Sequence, residues 1–308
     1  MTKHIRSAAV PPWALALTAM LSVQLGSALS VEVIHAVGAA GTAWLRLSMG
    51  AVVFLAVARP PLRQVHRRDV PALVGLGVTT GLVTIAFLAA IERIPLGTAV
   101  AIEFLGPLTV ATVRTHTRGA LTWPALALVG VVLLTEPWHG HLNPAGVGFA
   151  ALAALGWATY ILLTQRIGDR FTGLGGLSIT VPIAALTAAT IGIPQAAGHI
   201  TPSILLAAAG LALLLPVLPF ALELLALRRM TTAAFGTLMA LEPAIGVILG
   251  LLVLHQTPTA IHIASITLVV CAGAAAQRHG RRDAEADERP DHEPEPLARV
   301  SQDAPARP

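Results

Sequence analysis

The stretch that decides the fold is residues 232–254, TAAFGTLMALEPAIGVILGLLVL, in which Glu242 is the one charged residue. A helix needs about 20 mostly apolar residues to cross the hydrocarbon core of a bilayer, and this run has that length. Lipid cannot satisfy backbone polar groups, so only helices and closed barrels span membranes. The run is too long and continuous for a barrel strand of about ten alternating residues. It is therefore predicted to be a transmembrane helix.

The same pattern recurs along the chain. Short polar turns or turns that contain proline, such as Asn143-Pro144, separate one apolar run from the next. The fourth and fifth runs are short for a membrane span. The ten predicted spans are 13–31, 38–58, 70–91, 97–113, 121–136, 145–165, 173–193, 204–226, 232–254 and 258–276.

The composition excludes a soluble domain. Of the 308 residues, 55% are hydrophobic and only 12% are charged, whereas a soluble domain carries about 25% charged residues. The single cysteine, Cys271, rules out an intramolecular disulfide. The arginines form short clusters between apolar runs and do not form a basic helix face, so membrane flanking is favoured and a nucleic-acid partner is not expected.

The arginines also predict the orientation, because loops on the cytoplasmic side of a membrane are enriched in Lys and Arg. With a cytoplasmic N-terminus, the outer loops hold only Arg93. Both chain ends are then cytoplasmic, which requires an even number of spans. A cleaved signal peptide at the N-terminus would leave nine spans and is disfavoured. The inner segments hold Lys3, Arg6, Arg59, Arg63, Arg67, Arg68, Arg114, Arg118, Arg166, Arg170, Arg228, Arg229, Arg278, Arg281 and Arg282.

A weak internal repeat divides the chain into two halves. Arg93 and Pro107 align with Arg229 and Pro243, which places the fourth span over the ninth. Five spans are an odd number, so the second half would insert with the opposite orientation, as in many secondary transporters. The alternative is a short motif that recurs by chance. The predicted organisation is a cytoplasmic N-terminus (1–12), a five-helix repeat (13–136), an inverted five-helix repeat (145–276) and a disordered cytoplasmic tail (277–308).

Four charged residues lie within the predicted spans: Arg46, Glu103, Glu223 and Glu242. A charged side chain at the bilayer centre costs at least about 2.5–3.5 kcal/mol, so such residues usually face a cavity or a partner. Arg46 either extends to the outer membrane interface or neutralises a glutamate. The glutamates either bond to a neighbouring helix or line a cavity.

Prolines accompany two of these glutamates. Pro107 lies four residues after Glu103, and Pro243 follows Glu242 directly. Proline removes a backbone N–H and clashes with the carbonyl four residues earlier, so both positions are predicted helix kinks. Burial in a dry cavity favours a neutral carboxylic acid, which suits proton-coupled exchange at Glu103.

Three uncharged side chains are candidates for the same cavity: Gln24 in the first span, and Trp157 and Tyr160 in the sixth. Aromatic residues near span ends usually belong to the membrane interface. Trp157 and Tyr160 lie well inside their run and one turn apart, so a cavity-lining position is slightly favoured over packing. Gln165 is a further polar residue of this span.

With these segments, the chain resembles the EamA-type drug/metabolite transporter superfamily and is similar to bacterial threonine/homoserine exporters. The resemblance runs from about residue 24 to residue 275. It departs from the family at His255-Gln256, where a Gly-Glu pair is common, and in its longer charged tail. The matching blocks are LRL at 45–47, PLG at 95–97, AVAIEF at 99–104, GPL at 106–108, GWATYIL at 156–162, LPFALE at 218–223 and FGTLMALEPA at 235–244.

The resemblance implies ten helices in two inverted repeats, a central cavity and export from the bacterial cytoplasm across the inner membrane. By match of motif, Arg46, Glu103, Trp157, Tyr160, Glu223 and Glu242 occupy signature positions. The expected activity is proton-coupled export of small amino acids by alternating access, without a cofactor or a metal.

Two other classes of function remain open at this point. The same scaffold would also suit efflux of other metabolites or cationic drugs. A membrane-embedded enzyme is disfavoured because the chain has no H-E-x-x-H, G-x-S-x-G or aspartate-rich metal motif. The sequence does not determine the substrate or the oligomeric state.

Overall fold

A computed structural model describes residues 10–58, 60–61, 63, 65–113, 122–136, 143–167, 174–230 and 232–287. This part of the chain is helical and contains no strand, as predicted. The helices are α1 (Pro12–Val57), α2 (Val70–Ile91), α3 (Leu96–Val113), α4 (Thr122–Thr135), α5 (Pro144–Ile167), α6 (Leu174–Ala196), α7 (Pro202–Ala212), α8 (Leu218–Leu227), α9 (Thr232–Met239), α10 (Glu242–Leu254) and α11 (Ala260–Asp287).

The helices have the length and composition of a membrane protein. Within the described ranges, six helical segments are long and apolar enough to cross a bilayer, and three shorter apolar helices accompany them. Many large apolar side chains are exposed on the outer surface, such as Leu186, Leu206 and Leu252. A soluble protein rarely leaves large contiguous apolar patches on its surface, so this surface is suited to lipid.

Helix α1 combines the first two predicted spans. Its backbone leaves the helical region at Gly38, where φ is 75° and ψ is 168°, a combination that is nearly restricted to glycine. Beyond this break, the N–H groups of Ala40 and Gly41 donate to Oε1 of Gln195 at 2.8 and 3.1 Å. The Gln195 side chain therefore caps the helical limb that begins after Gly38.

Two other predicted spans are discontinuous. A π-helical segment, Leu213–Val217, separates α7 from α8, and it contains non-helical backbone at Leu215 and a cis Leu215-Pro216 bond. Helix α9 ends at Met239 and α10 begins at Glu242. The predicted runs 204–226 and 232–254 correspond to the helical segments Pro202–Leu227 and Ala234–Leu254, and the interruption within each was not predicted. Proline explains both breaks, because it cannot donate an intrahelical hydrogen bond but fits the first turn of a helix.

Glycines allow close packing between the helices of the two halves of the chain. On α2, a Cβ at Gly81 would lie 2.7 Å from the Ala184 carbonyl oxygen of α6. On α10, a Cβ at Gly246 would lie 3.2 Å from Val100 Cγ2 of α3. Small residues have this role in membrane proteins, where helix association depends on close van der Waals contact.

Helix α11 differs from the expectation at its C-terminal end. It continues to Asp287, whereas the sequence predicted disorder from residue 277. Alanine, arginine and glutamate favour helices, and a helix that is already nucleated extends at low cost. Residues 1–9 and 288–308, which contain most of the predicted terminal segments, lie outside the described residues.

Candidate functional site

A cavity of about 360 Å³ lies among the helices. All seven residues that the sequence predicted for a central site line it, although they come from both halves of the chain. Their contribution to transport stays a prediction. The lining residues are Val23, Gln24, Ser27, Arg46, Thr80, Val83, Thr84, Phe87, Glu103, Trp157, Tyr160, Leu215, Phe220, Glu223, Met239 and Glu242.

Helix α1 contributes Gln24 from its first limb and Arg46 from its second. Gln24 is 2% exposed and Arg46 is 4% exposed, so Arg46 does not extend to the membrane interface. Neither Gln24 Oε1 nor Arg46 Nε has a hydrogen-bond partner in the described part of the chain. One guanidinium nitrogen of Arg46 donates to Ser30 Oγ over 3.5 Å. Buried polar atoms are normally paired, so these two atoms are exceptions within the cavity wall.

Helices α3 and α10 each contribute a buried glutamate. Glu103 is 8% exposed and Glu242 is 4% exposed. Pro107 lies within α3, and it leaves the Glu103 carbonyl without the usual backbone donor four residues later. Pro243 lies in the first turn of α10, directly after Glu242. Pro243 thus follows a two-residue turn, Ala240-Leu241, between α9 and α10, whereas Pro107 stands inside a continuous helix.

Helices α5 and α8 complete the polar lining with half-buried side chains. Tyr160 interacts electrostatically with Glu223. Phe220, one turn before Glu223, lines the cavity and packs edge-on against Phe54, with 6.3 Å between ring centroids. The side chain of Gln165 lies outside the described residues.

The charges in the cavity do not form close ion pairs. Glu103 is the acidic residue that interacts electrostatically with Arg46, yet the ion pairs found among the described residues, all within 4.0 Å, join other residues: His66 or Arg68 to Asp69, and Arg93 to Glu92. In the same ranges, no three His, Cys, Asp or Glu side chains are grouped closely enough to hold a metal ion. Within the described ranges, the three cavity glutamates thus belong to neither a close ion pair nor a metal-binding group.

Irregular backbone forms part of the wall. Leu215 lines the cavity from the π-helical segment. Ser22 Oγ of α1 donates to the adjacent Leu214 carbonyl at 2.7 Å, and Gly26 and Gly50 let both limbs of α1 approach the segment closely. Non-helical backbone at membrane depth is tolerated where it lines a cavity and its polar groups are satisfied.

Sequence reasoning missed several lining residues. Thr80 and Thr84 lie one turn apart in an otherwise apolar span, a signal that was available. Each hydroxyl donates to its own helix, Thr80 to the Leu76 carbonyl and Thr84 to the Thr80 carbonyl, both at 2.8 Å. Leu215 and Met239 carry no polar signal, and they reach the cavity because of the helix breaks beside them.

A second cavity of about 330 Å³ lies beside the N-terminus of α3 and the loop after α10, and its lining includes His255 and His262. Gln256 also lines it and accepts a hydrogen bond from the Leu96 N–H at 3.0 Å. The Gln256 side chain thus links the loop after α10 to the start of α3.

Comparisons with known proteins give consistent results. Residues 144–275 match the EamA-like transporter family. The chain is 34% identical over 271 residues to the threonine/homoserine exporter RhtA of Salmonella typhimurium strain LT2, covering 87% of this chain and 91% of that protein. It is also 34% identical over 281 residues to the threonine/homoserine exporter RhtA of Escherichia coli strain K12, and the match covers 90% of this chain and 95% of that protein. One solved structure, titled "Crystal structure of protein", shares the fold with a TM-score of 0.60 and 20% identity over 87% of this chain and 98% of its own.

Proposed function

The chain belongs to the EamA-like transporter family, and we propose that it exports small amino acids of the threonine and homoserine type, or related metabolites, from the bacterial cytoplasm across the inner membrane. The curated relatives that support this proposal are named threonine/homoserine exporters, and the alignment covers nearly their whole length. The named transporters among the relatives also argue against an enzymatic activity.

The observation that carries the proposal is the shared cavity. Charged residues from α1, α3, α8 and α10 meet around one space of about 360 Å³. This volume lies near the lower end of the range for ligand pockets, about 300–1,000 Å³. A cavity of this size suits a small metabolite better than a drug-sized molecule.

Alternating access is the proposed mechanism, performed by two inverted five-helix halves that comprise residues 13–136 and 145–276. The helix breaks at Leu213–Val217 and before Glu242 support it, because broken helices line substrate sites in transporters with inverted repeats. The ten crossings and the cytoplasmic location of both chain ends are part of this proposal. Reporter fusions at the two ends test the orientation, and reporters on opposite sides of the membrane would contradict it.

Proton coupling is a further part of the proposal, with Glu103 as the group that carries the proton. Glu103 is buried in the cavity wall and interacts electrostatically with Arg46, the arginine of the lining. A carboxylate there can exchange a proton for substrate if the proton and the ammonium group of the substrate compete for it. This competition would link proton entry to substrate exit.

A second candidate function is efflux of cationic metabolites or drugs. The observation that favours it is the charge of the lining, three glutamates against one arginine. An excess of carboxylates attracts amines and other cations. The small cavity volume favours the amino-acid proposal over this alternative.

Transport by the purified protein in liposomes tests the proposal. Liposomes loaded with radiolabelled threonine or homoserine should release it faster with the protein than without it. Glu242→Gln should slow release, whereas Thr267→Val should not, because Thr267 is exposed on the outer surface and bonds only to its own helix. Transport of a lipophilic cation, with no transport of either amino acid, would favour the second candidate.

A further inference from the structure

The charged groups of the cavity follow an order from one side of the membrane to the other. Arg46 lies eight residues after the break at Gly38, and Glu103 lies seven residues after Leu96, the first residue of α3. At a rise of 1.5 Å per residue, both are about 11–12 Å from their helix ends. The chain crosses the helix bundle twice between these ends, through the second limb of α1 and through α2, so the ends lie on the same side.

The other polar residues lie closer to the opposite side. Glu223 is four residues from Leu227, the end of α8, and Tyr160 is seven residues from Ile167, the end of α5. These distances correspond to about 6 Å and about 10 Å. Helix α5 begins on the Leu96 side, because Gly146 packs against Arg93 and Ile94. Ile167 is therefore on the far side.

The electrostatic contacts follow the same order. Arg46 interacts with Glu103, Glu242 interacts with both Glu103 and Glu223, and Tyr160 interacts with Glu223. The cavity thus has a cationic end, where Arg46 lies at about the same depth as Glu103, and an anionic end formed by Glu242 and Glu223.

The cationic end has unused hydrogen-bonding capacity. Arg46 Nε has no partner, and Arg46 forms no ion pair within 4.0 Å in the described part of the chain. Glu103 is the acidic residue that interacts electrostatically with Arg46, but the two form no ion pair within 4.0 Å. A guanidinium matches a carboxylate with two parallel hydrogen bonds, so a ligand carboxylate would supply the close partner that Arg46 lacks.

The anionic end lacks a cation. Glu242 and Glu223 repel each other when both are charged, and the one arginine of the cavity lining lies at the depth of Glu103. An ammonium group between the two carboxylates would remove this repulsion and form charge-assisted hydrogen bonds with both.

We propose that Arg46 binds the α-carboxylate of the exported amino acid and that Glu242 and Glu223 bind its α-ammonium group, so that the substrate lies between the two ends as a zwitterion. The assignment rests on the proposed export of amino acids. It makes Arg46 and Glu242 the residues that select for two free charged groups.

Competition in proteoliposomes tests the assignment. Uptake of radiolabelled threonine by counterflow is measured with unlabelled threonine, threoninamide, which lacks the carboxylate, or N-acetylthreonine, which lacks the ammonium group. For the wild-type protein, only threonine should compete. Arg46→Gln should weaken competition by threonine about tenfold or more and bring it to the level of threoninamide. Glu242→Gln should also weaken competition by threonine and bring it to the level of N-acetylthreonine.

Thr267→Val is the control, because Thr267 is exposed outside the cavity and its hydroxyl bonds only to its own helix. Its competition profile should equal that of the wild type. If Arg46→Gln weakens competition by threonine and competition by threoninamide equally, the assignment of Arg46 is wrong, whereas the proposed export function stands. If the wild-type protein carries neither threonine nor homoserine, the proposed function itself is wrong.

The wild-type profile keeps the assignment testable if Arg46→Gln does not fold. Competition by threoninamide as strong as that of threonine would by itself overturn a carboxylate site at Arg46. Failure of both analogues to compete would support the zwitterion.

Discussion

Ser22 of α1 donates a hydrogen bond of 2.7 Å to the backbone carbonyl of Leu214, in the segment that interrupts the helix between Pro202 and Leu227. The two residues come from opposite halves of the chain. The bond satisfies one carbonyl of the irregular backbone beside the cavity. A broken helix inside a membrane persists when side chains of this kind satisfy its backbone groups.

Ser22→Ala should therefore lower the free energy of unfolding by about 1–3 kcal/mol, because it leaves a buried acceptor unsatisfied. The thermal unfolding midpoint in detergent measures this change. Thr18→Ala, on the same helix, is the control, since the Thr18 hydroxyl is exposed and bonds only to the Ala14 carbonyl. Equal midpoints for the two variants would show that the bond to Leu214 contributes nothing.

Gly38→Ala should destabilise the protein by about 1–3 kcal/mol, because its φ of 75° and ψ of 168° are nearly restricted to glycine. A Cβ at this position would also collide with the Gln195 side chain that caps the following helix. Gly148→Ala should instead stabilise the protein by about 0.5–1 kcal/mol, because Gly148 lies within a helix and an added Cβ would contact no neighbouring atom within 4 Å. Thermal unfolding should thus give opposite signs for the two substitutions, and a shared sign would contradict the account.

Trp157→Ala should enlarge the cavity and widen the range of substrates. The indole lines a space of about 360 Å³, and its removal frees volume for a larger side chain. Efflux from liposomes loaded with threonine or with phenylalanine gives the ratio of the two rates. We expect the efflux rate of phenylalanine to rise relative to that of threonine in the variant. An unchanged ratio would mean that Trp157 does not set the substrate size.

Glu103→Gln should separate binding from coupling. A glutamine cannot carry a proton, so an inwardly directed proton gradient should no longer accelerate threonine export, while counterflow exchange continues. Export rates with and without a pH gradient measure the loss of acceleration, and counterflow of radiolabelled threonine shows whether exchange continues. Full acceleration by the gradient would remove Glu103 from this role.

Much of this arrangement follows from the sequence. Charged residues within apolar runs are costly in lipid, so Arg46, Glu103, Glu223 and Glu242 could be placed in a cavity before any geometry was known. The shape of the cavity could not be predicted, because it depends on the helix breaks. Pro216 and Pro219 lie close together in one span, but a periodic apolar pattern does not reveal whether proline bends a helix or ends it. The extension of α11 to Asp287 was missed because composition alone does not show that the charged segment continues an existing helix.

Substrate protection of a cavity cysteine tests the central claim most directly. Cys271 is the single cysteine, so Cys271→Ala provides a background without thiols. In that background, Thr84→Cys places a thiol in the cavity wall and Ile248→Cys places one on the exposed surface. The account predicts that saturating threonine slows alkylation of the thiol at 84 and leaves the thiol at 248 unaffected. An alkylation rate at 84 that threonine does not change, in protein that transports it, would contradict the account.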